Sequence, residues 1–504
     1  MSETKEKIIG WFSNKQNWAI IAVILLALGI RLYYFTLTKN QPLWWDEAEY
    51  MLKAKSIALG TPETGWAQAV RPILFPFLAS PFFLFGLGEV PLRFLLVLLS
   101  VGGIFLTYLI GKEMFNKPVG VTAAFLMSVF YIDIFYTTRL LVDVPQIFFV
   151  TLSLFLFVKY AFGNASPKLA WTILPVILIG TQMRFTVGLL ALILGLFLFI
   201  IHGLKLFKKK EWYISAAIAL ACSAPYLIYS WVRFNNPFYA IIQGLSSAGS
   251  SRGEGVSAFD IFMQYISYFP NYTPLVFFVL FLVGLVIALF LILISFDKIR
   301  TNVISQKYLL LLLLIIVPII YFGFFVNHFE DRYIFMAFPA IFLITAIALS
   351  TIYNRLAQYS RIAIILILIA LLLYGGWASI QRTDQLIKSK INTYEGLRDA
   401  GLWIKNNSSP DEAVISAGMP EITYYSERST YSYPANESDF LEFAKEKHVR
   451  YLVLSIWESS PQWTYEWPPN NQDKIKVEQA FFVDQDKKQI SSIIYSFNNQ
   501  SYSE

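Results

Sequence analysis

The sequence predicts a polytopic α-helical membrane protein with about 11 transmembrane helices, juxtamembrane helices on the outer face, and a small C-terminal extracytoplasmic α/β domain. Three observations carry this expectation. Apolar runs of roughly 18–22 residues recur between residues 18 and 381, and each is long enough for a hydrocarbon core of about 30 Å. The chain is 56% hydrophobic and only 15% charged, with a mean hydropathy of +0.53, which excludes an ordinary soluble protein. From residue 382 the composition turns polar and mixes helical with strand-like periodicity.

The expected spans are residues 18–38, 90–111, 117–137, 145–163, 168–184, 185–203, 212–232, 273–296, 308–327, 333–352 and 361–381. Residues 72–88, "PILFPFLASPFFLFGLG", are interrupted by Pro72, Pro76 and Pro81 and read as an interfacial segment. Charge supports that reading. With 72–88 on the surface, the N-terminus and the basic loops "GKEMFNK", "KLFKKKEW", "DKIRTNVISQK" and "NRLAQYSR" all fall on one side, the cytoplasmic one. The net charge of +6 therefore reports topology, and no nucleic-acid partner is expected. The single cysteine, Cys222, excludes an intrachain disulfide and a cysteine metal site. The N-terminus is charged and precedes a full-length span, so no cleaved signal peptide is expected.

This divides the chain into a membrane domain, 1–381, and an exterior α/β domain, 382–504. In the latter, helices are expected at 393–407 and 437–447 and strands at "AVISAG", "RYLVLS", "VEQAFFV" and "ISSIIYSF". The outer face gathers a first loop, 39–89, a second, 137–145, a central loop, 233–272, "NHFEDRY" (327–333), and the hinge "GTQMRFT" (180–186). Sequons at Asn271, Asn406, Asn407 and Asn436 lie on the same side.

Those loops hold the chemistry-bearing residues. "LWWDEAEY" places Asp46 and Glu47 just after the first span, with Trp44 and Trp45 at headgroup depth, and "RLLVDVPQ" returns Asp143 to the same side. A plain reading exists for each: an amphipathic surface helix with Asp46 as its N-cap, and a helix start at Asp143 before Pro145. Asp133 is a weaker candidate within a span end. Arg71, Arg93, Arg139, Arg184 and Arg332 are each explicable as snorkelling residues, but several meeting on one face make an anion site, because guanidinium binds phosphate bidentately. His328 and Glu330 are placed to orient Arg332. A divalent ion would have Asp46, Asp143 and His328 as its ligands; no cofactor is called for.

In order along the chain, "LWWDEAEYMLKAKSIALG…AVRPILFPFLASPFFLFGLGEVPLRFL", "RLLVDVPQIFF", "LIGTQMRFTVGLLAL", "APYLIYSWVRFNNPFY" and "HFEDRYIFMAFPA" resemble the GT-C superfamily of membrane glycosyltransferases. Within it the likeness is to protein O-mannosyltransferases and lipid A aminoarabinose transferases, over roughly residues 18–345. The second loop departs from the family in carrying a lone acid, and Arg71 stands where Lys is more usual.

The resemblance implies inverting transfer of a sugar, mannose or a relative, from a polyprenyl-phosphate carrier such as dolichyl or undecaprenyl phosphate. The acceptor would be a hydroxyl of a protein, lipid or glycan. It implies Asp46 as general base, Glu47 positioning acceptor or sugar, and Asp143 holding the acceptor or orienting the first loop. Arg71, Arg184 and Arg332, with Arg93 and Arg139 behind them, would hold the lipid phosphate. Trp45, Tyr50, His328, Glu330 and Tyr333 would position acceptor or sugar. Two other readings stand beside this one. A GT-C-like ligase or polymerase would use a diphosphate carrier and need more cations. A transporter would place its ionisable groups near the midplane and show inverted repeats, and no repeat is evident.

Overall fold

The computed structural model describes residues 10, 13–64, 71–239, 241–243, 256–483, 486 and 488–498. Parts of the expected first and central loops, 65–70, 240 and 244–255, lie outside the described residues.

Among the described residues nine helices are long and apolar enough to cross a membrane, or ten if a bent pair counts as one span. With a small C-terminal sheet domain they make a multi-pass membrane protein. Along the chain run α1 (Trp18–Thr38), α2 (Trp45–Leu59), α3 (Leu74–Leu84), α4 (Val90–Met114), α5 (Lys117–Ser128), α6 (Tyr131–Thr137), α7 (Asp143–Phe162), α8 (Ala170–Thr181), α9 (Leu189–His202) and α10 (Lys210–Phe234). They are followed by α11 (Ala258–Tyr268), α12 (Leu275–Ile294), α13 (Val303–Phe325), α14 (Phe338–Leu356) and α15 (Arg361–Lys390).

The count falls below eleven for two physical reasons. The run expected over 117–137 breaks at Val129–Phe130 and bends by 57° between α5 and α6. Residues 168–184 form only the 12-residue α8, about 18 Å long, with Pro175 inside it. The interrupted run 72–88 forms the short helix α3, which packs against α2 rather than standing as a span.

α14 is the buried centre of the bundle, packed against α5 and α12. Gly284 of α12 permits that approach: a Cβ there would lie 2.3 Å from the Ile344 carbonyl oxygen. Where α5 ends, the Ser128 carbonyl accepts from Arg31 Nη1 at 3.0 Å. Arg31 also donates through Nε to Ser100 Oγ at 2.6 Å and ion-pairs with Asp133, which accepts from Ser100 at 2.6 Å. All three side chains are buried. A guanidinium thus satisfies a carbonyl freed by the helix break and a carboxylate inside the bundle. Asp133 is committed there.

The C-terminal domain continues from α15 through α16 (Glu395–Asn407), α17 (Met419–Ser426), α18 (Phe440–Glu446) and α19 (Trp463–Asn470). Its strands are β1 (Ala413–Ser416), β2 (Thr430–Tyr431), β3 (Val449–Ser455), β4 (Ile475–Phe482) and β5 (Ile490–Phe497). The sheet order is β2-β1-β3-β5-β4, parallel from β2 to β3 and antiparallel beyond it. The composition change at 381/382 falls inside the continuous helix α15. Gly401 in α16 has a packing role: a Cβ there would come within 2.6 Å of Tyr425 Cβ on α17.

Helix α17 joins the two parts of the molecule. It packs on α2. Lys55 pairs with Glu427 at 2.7 Å, Tyr424 donates to Glu89 at 2.8 Å, and the Leu43 N–H donates to Tyr425 Oη at 2.9 Å.

Candidate active site

The acidic stretch after α1 becomes α2. Its N-cap position is Trp44, with the Trp44 N–H donating to Glu47 at 3.0 Å, so Asp46 is left free for tertiary contacts. Consecutive helical positions diverge by about 100°, and Asp46 and Glu47 accordingly enter different networks.

Asp46 faces two guanidiniums. Arg71 Nη2 lies 2.6 Å from Oδ1, and Arg332 Nη2 lies 3.0 Å from Oδ2. Arg332 also pairs with Glu330 and stands 3.8 Å from Asp143, which is itself paired with Arg184. The two acids expected to converge, Asp46 and Asp143, are therefore linked through one guanidinium. Three carboxylates, Asp46, Asp143 and Glu330, meet three guanidiniums, Arg71, Arg184 and Arg332. Burial pushes the Asp46 carboxyl up, but Arg71 and Arg332 outweigh it and hold the group well below the usual carboxylate range. Glu330 is likewise pushed up by burial, then drawn down to about 2 by its hydrogen bond to His328 and the charges of Arg332 and Arg184.

Aromatic rings frame the cluster. Arg71 lies over the Tyr50 ring at 4.8 Å and Arg184 over the Tyr333 ring at 5.7 Å. Tyr333 Oη is 2.8 Å from His328 Nε2, and His328 Nδ1 is 2.7 Å from Asn327 Oδ1. Trp45, the first residue of α2, is half-buried.

Glu47, Arg93 and Arg139 form a second knot, fully buried. Glu47 accepts from the Leu140 N–H at 2.6 Å and lies 3.2 Å from Arg139 and 3.8 Å from Arg93. Arg93 also donates to the Thr138 and Gln41 carbonyls at 2.8 and 3.2 Å, and Arg139 stacks on Trp44 with its guanidinium carbon 3.3 Å from the ring centre. This knot fastens the second outer loop to the start of α2. Its charged groups are paired with one another and with the backbone around them.

Arg71 also lines a cleft, together with Glu49, Tyr50 and Lys53 of α2, with Pro72, Ile73 and Pro76, and with Tyr226, Tyr229, Ser230 and Phe234 of α10. Glu49 escapes a reading that takes the adjacent acids as the pair. The signal for it is spacing: positions i and i+3 share a helix face, so Glu49 and not Glu47 accompanies Asp46.

The residues do not fit a divalent ion. Among the described residues no three of His, Cys, Asp and Glu are grouped to hold one. Of the expected ligands, Asp46 and Asp143 are neutralised by arginines and His328 is bonded to Asn327 and Tyr333.

In sequence, residues 70–229 match the family model described as dolichyl-phosphate-mannose-protein mannosyltransferase. No curated relative matches the chain. In structure, the chain is similar to ArnT from Cupriavidus metallidurans bound to undecaprenyl phosphate, at 12% identity over 95% of this chain and 98% of that one, with a TM-score of 0.64. It is similar to the Archaeoglobus fulgidus oligosaccharyltransferase AglB in complex with an inhibitory peptide and a dolichol-phosphate, at 15% identity over 97% and 75% and a TM-score of 0.60. Arabinofuranosyltransferase AftD from Mycobacteria matches at 12% identity over 96% and 42%, with a TM-score of 0.56. These likenesses show the GT-C fold.

Proposed function

We propose that the protein is an inverting glycosyltransferase that moves a sugar, mannose or a relative, from a polyprenyl-phosphate carrier to a hydroxyl of a protein, lipid or glycan. In this reading the N-terminus is cytoplasmic and the C-terminal domain extracytoplasmic. The observation that carries the reading is the bracket of Arg71 and Arg332 around Asp46, tied through Arg332 to Asp143 and bordering an aromatic cleft of α10. The match to a structure holding undecaprenyl phosphate supports a lipid monophosphate as carrier.

The chemistry follows from competition for those arginines. A donor phosphate is a bidentate partner for guanidinium, as a carboxylate is. When it draws Arg71 and Arg332 toward its oxygens, Asp46 loses the charges that depress its basicity. Asp46 then takes the proton from the acceptor hydroxyl as that oxygen attacks the anomeric carbon. The same arginines, with Arg184, stabilise the charge that develops on the departing phosphate. Asp143 holds Arg184 and Arg332 in place, and Glu47, Arg93 and Arg139 keep the loop carrying Asp143 against α2.

The test is transfer in nanodiscs from undecaprenyl- or dolichyl-phosphate mannose, and from the glucose and aminopentose analogues, to a membrane extract of cells lacking the enzyme. Mass spectrometry of the product is expected to show one added sugar. Transfer only from a diphosphate-linked oligosaccharide, or solute flux with no product, would overturn the reading.

A further inference from the structure

Asp46 and Glu49 lie one turn apart on α2, in opposite electrostatic surroundings. Both oxygens of Asp46 are engaged by arginines. Glu49 is 1% exposed, accepts one hydrogen bond at Oε1 from Thr64 Oγ1 at 2.5 Å, and among the described residues has no partner for Oε2. It lines the cleft together with Arg71, whose Nη2 is paired with Asp46 Oδ1 at 2.6 Å. A buried carboxyl with such an oxygen, on a residue that lines a cleft, is satisfied when it is protonated and donates to an acceptor bound there.

We propose that Glu49 is the general acid of the transfer, giving its proton to the phosphate oxygen that leaves the anomeric carbon. The assignment rests on the glycosyl-transfer reading above. In the step, the acceptor oxygen forms a bond to the anomeric carbon and its proton goes to Asp46. The carbon–oxygen bond to phosphate breaks, its electron pair stays on the phosphate oxygen, and that oxygen takes the Glu49 proton. The products are the glycosylated acceptor and prenyl phosphate as its monoanion. Asp46 is left protonated and Glu49 ionised, and exchange with water resets both.

The environment suits the role. Burial raises the Glu49 carboxyl to about 7, against the lowering effects of its Thr64 hydrogen bond and the Arg71 charge. Asp46 and Glu63 raise it further. From its own helix Tyr50 and Lys53 face the cleft with it, Lys53 being paired to Glu63 at 3.0 Å. Across the cleft stand Tyr226 and Tyr229 of α10. From α17 comes Glu421, buried and itself raised by burial and by neighbouring acids including Glu49. Two carboxyls whose surroundings push them apart, one down and one up, are the pattern of a base and an acid sharing one reaction.

The experiment measures kcat and KM from pH 5.5 to 9 in nanodiscs with undecaprenyl-phosphate mannose, glucose and aminopentose as donors, following prenyl phosphate release. For the wild type, kcat is expected to fall as pH rises through about 7, where Glu49 ionises. Glu49→Gln is expected to lower kcat by about 100-fold, leave KM little changed, and abolish that descending limb. Thr64→Val, which removes the hydrogen bond that lowers Glu49, is expected to move the limb to higher pH, and it keeps the test open should Glu49→Gln fold poorly. A folded Glu49→Gln enzyme with wild-type kcat, or with the limb intact, would overturn the assignment, as would an unmoved limb in Thr64→Val. Absence of turnover by the wild type with every prenyl-phosphate donor would instead overturn the glycosyl-transfer reading, and Glu49's role with it.

Discussion

Replacing Asp46 by Asn separates the two jobs assigned to the arginine bracket. The cluster holds three carboxylates and three guanidiniums, so the substitution leaves one positive charge in excess. On the proposed function, a donor phosphate displaces Asp46 in the wild type from contacts at 2.6 and 3.0 Å. A hydrogen bond to a charged group contributes about 1.5–3 kcal/mol net. Relief from one such competition corresponds to roughly 10- to 100-fold tighter binding of prenyl phosphate, since about 1.4 kcal/mol is tenfold. The proton acceptor is lost at the same time, which removes about 10²–10⁴ in rate. Asp46→Asn is therefore expected to bind undecaprenyl phosphate more tightly while single-turnover transfer falls by at least about 100-fold. Competition binding in nanodiscs and rapid-quench transfer read the two quantities separately. Turnover near the wild-type rate in a folded Asp46→Asn protein would refute the base assignment. Weaker binding of the lipid phosphate would refute the competition.

Two further substitutions separate scaffold from chemistry. Glu47→Gln breaks a fully buried ion knot, a change expected to cost about 3–5 kcal/mol, so it should lower the thermal unfolding midpoint in detergent while the folded fraction keeps its kcat. A Glu47→Gln protein as stable as the wild type but with about 100-fold lower kcat would instead place Glu47 at the reacting atoms. Arg31→Met leaves Asp133 buried and unpaired and should destabilise by a similar 3–5 kcal/mol or so, whereas Arg31→Met with Asp133→Leu should regain most of it. Equal destabilisation by the single and double variants would show that the pair is not what holds the bend between α5 and α6.

Much of this was legible in the sequence because membrane physics writes it in plain lengths. Hydrocarbon thickness makes runs such as 275–294 readable, and the prolines of 72–88 marked an interrupted segment that forms the short helix α3. The return of Arg71, Asp143, Arg184 and Arg332 to one locus followed from charge placement, since each sits beside an apolar run on the side opposite the lysine-rich loops. Adjacency misled at Asp46-Glu47, because neighbours in sequence are about 100° apart on a helix. Glu47 turned into the knot with Arg139, while Glu49 carries the second carboxyl toward the cleft. Nothing local announced the break at Val129–Phe130; Arg31, about 100 residues earlier, supplies the partner for the freed Ser128 carbonyl, and that is a tertiary fact. In the C-terminal domain the four longer strands were readable from their apolar runs. The two-residue β2 and the proline-containing α19, "WTYEWPPN", carry too little periodicity to find.

The most direct measurement is a structure of the protein in nanodiscs with undecaprenyl phosphate. The predicted result places phosphate oxygens within about 2.7–3.2 Å of guanidinium nitrogens of Arg71 and Arg332, with at least one of the Asp46 contacts opened. A phosphate bound elsewhere, with both Asp46 pairs intact, would contradict it.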